Sequence, residues 1–451
     1  MTTTVHRLRR EDLEGPAGRA AAWLGANGAG PGDRVAVVAH NHPSTLAMAH
    51  GALRSGVVPV LLGPGLPPDE RDWIVRDARP AVVVDDPAGL PLGEAGTAAP
   101  PDLAEVPLGR PMMYTSGTSG RRKGVWSAVM PEPLARDWAA DEQDLWAPRA
   151  GRPFLVCSPL SHSAGYRAAT SALLAGAALF LMERFDAAEV VRLLANEPVT
   201  GTFLVPTHLR RIMALGDDLP RPRAAARVLH AGEPCPEHLK RRAMAWLPQG
   251  TLWEFYGSTE GQFTAISPEE WLERPGSVGR ARRGRTLSIR DPGEDGVGTV
   301  AVTAPPFARW EYWGDPEATA AAWDGDSFTA GDLGRLDDDG YLWLMARRDD
   351  LIISGGVNVY PAEVERALLA HPMVDEAVVF GVPDPEWGQR VTAAVAARGV
   401  TAGDLQAWVR DHLEPARRPK TVAVVESLPR TPTGKVDRRA ARGLSAQDTD
   451  P

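Results

Sequence analysis

Between Tyr114 and Gly124 the chain reads Tyr-Thr-Ser-Gly-Thr-Ser-Gly-Arg-Arg-Lys-Gly. Gly117, Gly120 and Gly124 let backbone amides approach an anion closely, Thr115, Ser116, Thr118 and Ser119 add hydroxyl donors, and Lys123 adds positive charge. Such a composition suits a loop that cradles phosphates. It is not a Walker A loop, because Lys123 is followed by Gly124 and not by the Ser or Thr that would hold magnesium. A solvated Gly/Ser loop is the plain alternative, and the density of donors argues against it.

Three further residues have side chains suited to a nucleotide. Tyr256 offers an aromatic face on which a purine can stack, or is a core aromatic with its hydroxyl satisfied. Glu260 follows a Gly-Ser-Thr turn from which a carboxylate reaches a magnesium ion bridging phosphate oxygens; a solvated surface Glu is the alternative. Asp332, in a Gly-Asp-Leu-Gly turn, can accept from both ribose hydroxyls or simply stabilise its turn.

Five segments in one order give these residues a context: Tyr114–Gly124, Trp253–Glu260, Thr329–Gly334, Arg347–Asp350 and Pro429–Lys435. Together they resemble the signature of the acyl-adenylate-forming superfamily, which includes acyl-CoA synthetases, peptide-synthetase adenylation domains and luciferases. The resemblance covers roughly residues 5 to 440. It implies ATP, Mg2+ and coenzyme A as cofactors, with Tyr256 at the adenine, Glu260 and its neighbour Thr259 at the metal, and Asp332 with Arg347 at the ribose. Gly232, Glu233 and Pro234 resemble a second adenine-contacting loop, although a plain strand-end turn reads as well. His162 resembles a pocket-side histidine, with Tyr166 and Gly257 beside the acyl group; a lone histidine can equally be structural.

Lys435 sits in a Pro/Thr/Gly loop where a lysine would ordinarily be solvated. The resemblance makes it the catalytic cation that bridges the attacking carboxylate and the α-phosphate. It also implies two arrangements of a small carboxy-terminal domain, pivoting at Asp349. In the second arrangement Gly355 and Gly356 would leave a channel for a pantetheine arm, or they form an ordinary loop between two elements. Two positions depart from the pattern, Arg122 where proline is common and Ala346 where glycine is common. The front is also short, and the opening segment usual in the family is expected to be missing.

The elements that must position these residues follow from periodicity. β-Branched runs such as Arg34–Val38 and Ala81–Val84 alternate with Ala/Leu-rich stretches such as Ser44–Leu53, predicting an α/β fold around a mostly parallel sheet. Phe154–Val156, Ala177–Met182, Gly201–Pro206 and Ala226–Ala231 repeat the alternation, while Asp86–Pro111 reads as a connecting loop. Asp337–Gly340 marks a hairpin turn between Leu333–Leu336 and Tyr341–Met345. Pro361, with Glu363 in the first turn, starts a helix. The expected division is a large domain over residues 1–348, a small mobile α+β domain over 349–443, and a disordered tail over 444–451.

Composition narrows the partners. The 49 Lys and Arg against 58 Asp and Glu give a net charge of −9 with no long basic run, against a nucleic-acid partner. Cys157 and Cys235 are isolated, suggesting neither a disulfide framework nor a zinc site and fitting a reducing, cytoplasmic setting. The Arg-containing amino terminus has no apolar run behind it, and no stretch reaches the roughly 18 apolar residues of a membrane span.

The segment Leu160–Arg167 has no acidic residue to hold an amino acid's ammonium group, so the expected substrate is a non-amino carboxylic acid, fatty or aromatic. Arg167 is a candidate to pair with a second carboxylate on that acid. The thiol acceptor is coenzyme A, or alternatively an acyl-carrier protein, and a homodimer is admitted. Two other classes fit less well. A serine hydrolase lacks the first glycine of its elbow at Ser161–Gly165, and a decayed sensor would not need Lys435.

Overall fold

Strands and helices alternate through most of the chain because β-branched runs and Ala/Leu-rich runs alternate. The computed structural model describes residues 3–90, 102–115, 122–431 and 436–446. A six-stranded sheet runs in the order Val5–Leu8, Ala178–Met182, Pro153–Val156, Gly201–Leu204, Arg227–His230 and Leu252–Glu254. Only the first pairing is antiparallel. A parallel three-stranded sheet places Arg34–Val38 between Val58–Leu62 and Val82–Val84. Its strands are apolar in long runs, as expected where helices cover the sheet.

Helices Arg10–Ala26 and Pro43–Arg54 pack closely enough that a Cβ on Gly51 would lie 2.2 Å from the Ala17 carbonyl oxygen. That contact admits glycine alone. The segment expected as a loop after Asp86 contains one short helical turn, Pro87–Gly89, and its later part is tied back by hydrogen bonds from Ala104 and Leu108 to Arg54 and Leu53.

The expected hairpin at Asp337–Gly340 joins Ser327–Leu336 to Leu342–Arg347 and belongs to an antiparallel sheet with Thr286–Arg290, Gly298–Thr303 and Trp323–Asp324. A single helical turn, Arg348–Asp350, then leads to the small domain. There the helix Pro361–Leu369 begins at the expected proline and packs on the long hairpin Val374–Asp384 and Gly388–Ala397. Val364, Leu368, Val379, Val391, Val395, Leu405 and Val409 form a core separate from that of the large domain. The α/β architecture with a large amino-terminal and a small carboxy-terminal domain is borne out.

The tail expected to be disordered begins in a helical turn, Arg442–Ala446, whose Leu444 packs against the core near Leu428 and Ala441. An apolar side chain with somewhere to go holds the chain there. Residues 447–451 lie outside the described residues.

Candidate active site

The loop expected to bind phosphate is bracketed by two short antiparallel strands, Met113–Tyr114 and Gly124–Trp126. The Thr115 amide donates to the Lys123 carbonyl at 2.9 Å, closing the base of the loop. Ser116, Gly117, Thr118, Ser119 and Gly120 lie outside the described residues. Gly124 is closely packed: a Cβ there would stand 2.3 Å from Met112 Cε, which would have to move aside, and 3.1 Å from Tyr114 Cζ. Arg122, where the family pattern has proline, forms an ion pair with Glu70.

The third strand of this small sheet, Glu311–Tyr312, was not anticipated as part of the site. Lys123 Nζ lies 4.7 Å from the Tyr312 ring centre and 3.6 Å from Asp315 Oδ2. On the other side, the Tyr312 hydroxyl donates to Glu260 Oε1 at 3.1 Å. Burial first, then the Glu260 charge and this bond, push the Tyr312 phenol up, so it stays a donor at neutral pH. Tyr312 therefore links the cation of the phosphate loop to the carboxylate expected at the metal. No motif contained it, and its only sequence signal is an aromatic in a Trp/Tyr-rich stretch.

Glu260 is carried by a tight turn after the strand Leu252–Glu254. Ser258 donates to the Gly261 carbonyl at 2.8 Å, Gly257 bridges Gln262, and a Cβ on Gly257 would lie 2.4 Å from the Gly261 oxygen. Gly257, expected beside the acyl group, thus has a backbone reason to be glycine. Behind the turn the Glu260 carbonyl accepts from the buried guanidinium of Arg110 at 3.0 Å. Burial, then repulsion from Arg167, pull Arg110 down to about 9, and it also donates to two neutral acceptors, the Ser127 hydroxyl and the Arg309 carbonyl.

Tyr256 is buried, with its ring against Phe263, and its hydroxyl donates to Asp332 Oδ2 at 2.5 Å. Asp332 is also buried and pairs through Oδ1 with Arg347 Nε at 3.2 Å, the two residues facing each other across the expected hairpin. Burial holds the Asp332 carboxyl above its ordinary value, against the pull of Arg347 and the Tyr256 bond. Each carboxylate oxygen has a second lone pair with which to accept from a ribose hydroxyl.

Gly232 and Pro234 are exposed, while Glu233 turns back to accept from the Thr207 amide at 2.9 Å and hydroxyl at 2.8 Å. His162 sits half-buried at the N-cap of the helix Ser163–Leu174. Tyr166 is fully buried in that helix and, with Ser163, Arg167, Arg110 and Thr259, lines a small cavity.

Arg167 does not await a substrate carboxylate, and that expectation is corrected. Its guanidinium is buried against Glu142 at 2.5 and 3.0 Å, and Glu142 also accepts from Trp146. The acidic partner comes from the helix Glu132–Trp146, outside the segment Leu160–Arg167.

Asp349 is exposed in the turn between the domains. Gly355 and Gly356 occupy the tip of the hairpin Ile352–Ser354 and Val357–Val359 with φ of +58° and +80°, exposed to solvent in this arrangement. Lys435 lies outside the described residues, but the ends of its loop are pinned together by an Arg430–Val436 bridge and an Asp437 to Pro429 hydrogen bond of 2.8 Å.

The geometry thus joins Lys123, Tyr312, Glu260, Tyr256, Asp332 and Arg347, drawn from five separate stretches. Residues 5–107 and 111–305 match the AMP-binding enzyme family, and residues 363–435 match the AMP-binding enzyme C-terminal domain. The chain belongs to the AMP-binding enzyme family. Among curated relatives, the 2-succinylbenzoate–CoA ligase of Bacillus velezensis is 32% identical over 92% of this chain and 88% of its own length. The feruloyl-CoA synthase of an Amycolatopsis species is 33% identical, covering 95% of this chain and 92% of the relative. Among solved structures, o-succinylbenzoate CoA synthetase from Bacillus subtilis with its acyl-adenylate OSB-AMP aligns at a TM-score of 0.83 and 28% identity, covering 98% of this chain and 93% of that one. The same synthetase has been solved with ATP and a magnesium ion.

The site residues of this AMP-binding enzyme suit a magnesium-bound nucleotide. Among the described residues no cluster of three or more His, Cys, Asp or Glu could cage a metal. A lone carboxylate, Glu260, next to a phosphate loop is the donor set that magnesium takes when phosphate oxygens and water fill its remaining positions.

Proposed function

We infer that the protein is an AMP-forming acid–CoA ligase. A substrate carboxylate oxygen attacks the α-phosphorus of ATP, the bond to the β-phosphate oxygen breaks, and pyrophosphate leaves with the electron pair. The coenzyme A sulfur, having lost its proton, then attacks the acyl carbon of the adenylate and AMP leaves. The observation that carries this reading is the chain of contacts from Lys123 through Tyr312 to Glu260, with Tyr256, four residues before Glu260, joined to Asp332 and Arg347, which supports phosphate, metal and ribose roles for these residues. The alignment of nearly the whole chain with CoA ligases supports coenzyme A, and not a carrier protein, as the acceptor.

In this reading magnesium neutralises the phosphate oxygens when bound, and the chain's residues do the rest. Lys123 pairs with the phosphates, exchanging its long contact with Asp315 for a stronger one. Asp332, held by Tyr256 and Arg347, accepts from the ribose. Lys435, at the end of the matched carboxy-terminal domain, is the cation that lets two anions meet.

The test is pyrophosphate release from ATP with aromatic, fatty and dicarboxylic acids, with and without coenzyme A. At least one acid should release pyrophosphate, with thioester forming only when coenzyme A is present. Absence of pyrophosphate release with every acid would overturn the reading. Lys435→Ala should abolish acid-dependent pyrophosphate exchange while sparing ATP binding, since the charge acts in the transition state.

A further inference from the structure

The small domain is fastened to the large one at a buried carboxylate. Glu376, 8% exposed in the strand Val374–Asp384, takes two arginines on the same oxygen. One is Arg210, from the helix Pro206–Met213 of the large domain, and the other is Arg430 of its own domain at 2.5 Å. Arg430 extends its second terminal nitrogen to the Thr207 hydroxyl at 3.4 Å, and Thr207 in turn donates to Glu233 beside Gly232 and Pro234.

Two features make this more than surface pairing. Arg430 forms the base of the Lys435 loop through its bridge to Val436, so whatever holds Arg430 also holds that base. The far edge of the small domain is left in solvent: Ile353 is 53% exposed and Val357 38% exposed on either side of Gly355 and Gly356. Arg430, at the base of the Lys435 loop, is thus fastened to the large domain while the glycine hairpin stands in solvent.

We propose that Glu376 is a positioning residue: its shared contact with Arg210 and Arg430 holds the small domain in the arrangement that performs adenylation, and its release precedes thiol transfer. A contact present in only one of two arrangements stabilises that one alone, so removing it moves the population toward the other. Exposed charge pairs carry little such bias, but a carboxylate withdrawn from water and met by two guanidinium groups does.

The proposal rests on the ligase reading for its kinetic test and stands apart from it in its structural one. Glu376→Gln should lower pyrophosphate exchange about tenfold or more, the scale of one lost charge-assisted bond. In a single turnover, coenzyme A should consume pre-formed acyl-adenylate at the wild-type rate or faster. Arg210→Gln, which breaks the same contact without touching the small domain's core, should reproduce that split, and the double variant should be no worse than either single one.

Equal loss in both half-reactions, or unchanged exchange, would overturn the proposal. Independently of any acid, spin labels at Asp218→Cys and Glu386→Cys should report one narrow interdomain distance in the parent and a broadened one with Glu376→Gln. An unchanged distribution would equally overturn it.

Discussion

The Tyr256 hydroxyl donates to the Asp332 carboxylate at 2.5 Å, joining the two residues expected to receive adenine and ribose. Burial raises the Asp332 carboxyl above its ordinary 3.8, so the folded chain binds that proton more tightly than the unfolded one. Stability associated with it is therefore complete below the unfolded value and falls as pH rises through the folded one. Asp332→Asn removes that cost. It should melt at the parent's temperature or higher at neutral pH, with the difference closing as pH falls below about 4. The same variant should lose roughly 10–100-fold in kcat/KM for ATP, the worth of two hydrogen bonds to a charged acceptor. A lower melting temperature at pH 7.5 would contradict the assignment.

Tyr312 offers a narrower test. Tyr312→Phe keeps the ring under Lys123 and removes only the donor to Glu260. The concentration of magnesium giving half-maximal activity should rise about fivefold, as for one neutral donor lost, while ATP binding without metal stays unchanged. Titrating magnesium at saturating ATP separates the two.

The sequence makes legible the part of the fold that is written locally. The turn at Asp337–Gly340 and the helix start at Pro361 are each specified by neighbouring residues, and both stand where expected. Asp332 and Arg347 were legible for the same reason, since they face each other across one hairpin. Tyr312 was not, because its role arises from a strand that joins the phosphate-loop sheet from nearly two hundred residues away. The Arg167–Glu142 pair escaped likewise: an acid on one helix answers a base on the next, and only packing brings them together. Tyr256 could be read as a stacking face or as a core aromatic with its hydroxyl satisfied; burial and the bond to Asp332 show the second feature without removing the first.

Gly257 carries a prediction that divides backbone from pocket. Gly257→Ala places a Cβ 2.4 Å from the Gly261 carbonyl oxygen, which cannot move without opening the turn that carries Glu260. The variant should lose about 1–3 kcal/mol of stability, the range of an overpacked site, together with most adenylation activity. If the glycine served only to leave room for the acyl group, Gly257→Ala would keep its stability and accept shorter acids. Chemical denaturation together with an acid-length series distinguishes the two.

Acid sensitivity follows from three imidazoles. Burial pulls His230 and His50 down to about 4, each also repelled by a neighbouring cation, and burial pulls His208 down to about 3 beside Arg211. His230 is fully enclosed, with neither ring nitrogen hydrogen-bonded, and lies 3.7 Å from Glu254, whose other neighbour is Lys240 at 2.5 Å. Because the unfolded chain protonates these groups near 6.5 and the folded chain does not, the stability they contribute is present above that pH and is lost on acidification toward 4. Each adds about 1.4 kcal/mol per pH unit to the slope at most. Urea unfolding between pH 7 and 4.5 should show a steep decline, and His50→Gln, which keeps a polar group beside Thr170, should make it shallower by close to one proton. A flat profile over that range would mean that the imidazoles are already protonated in the folded chain.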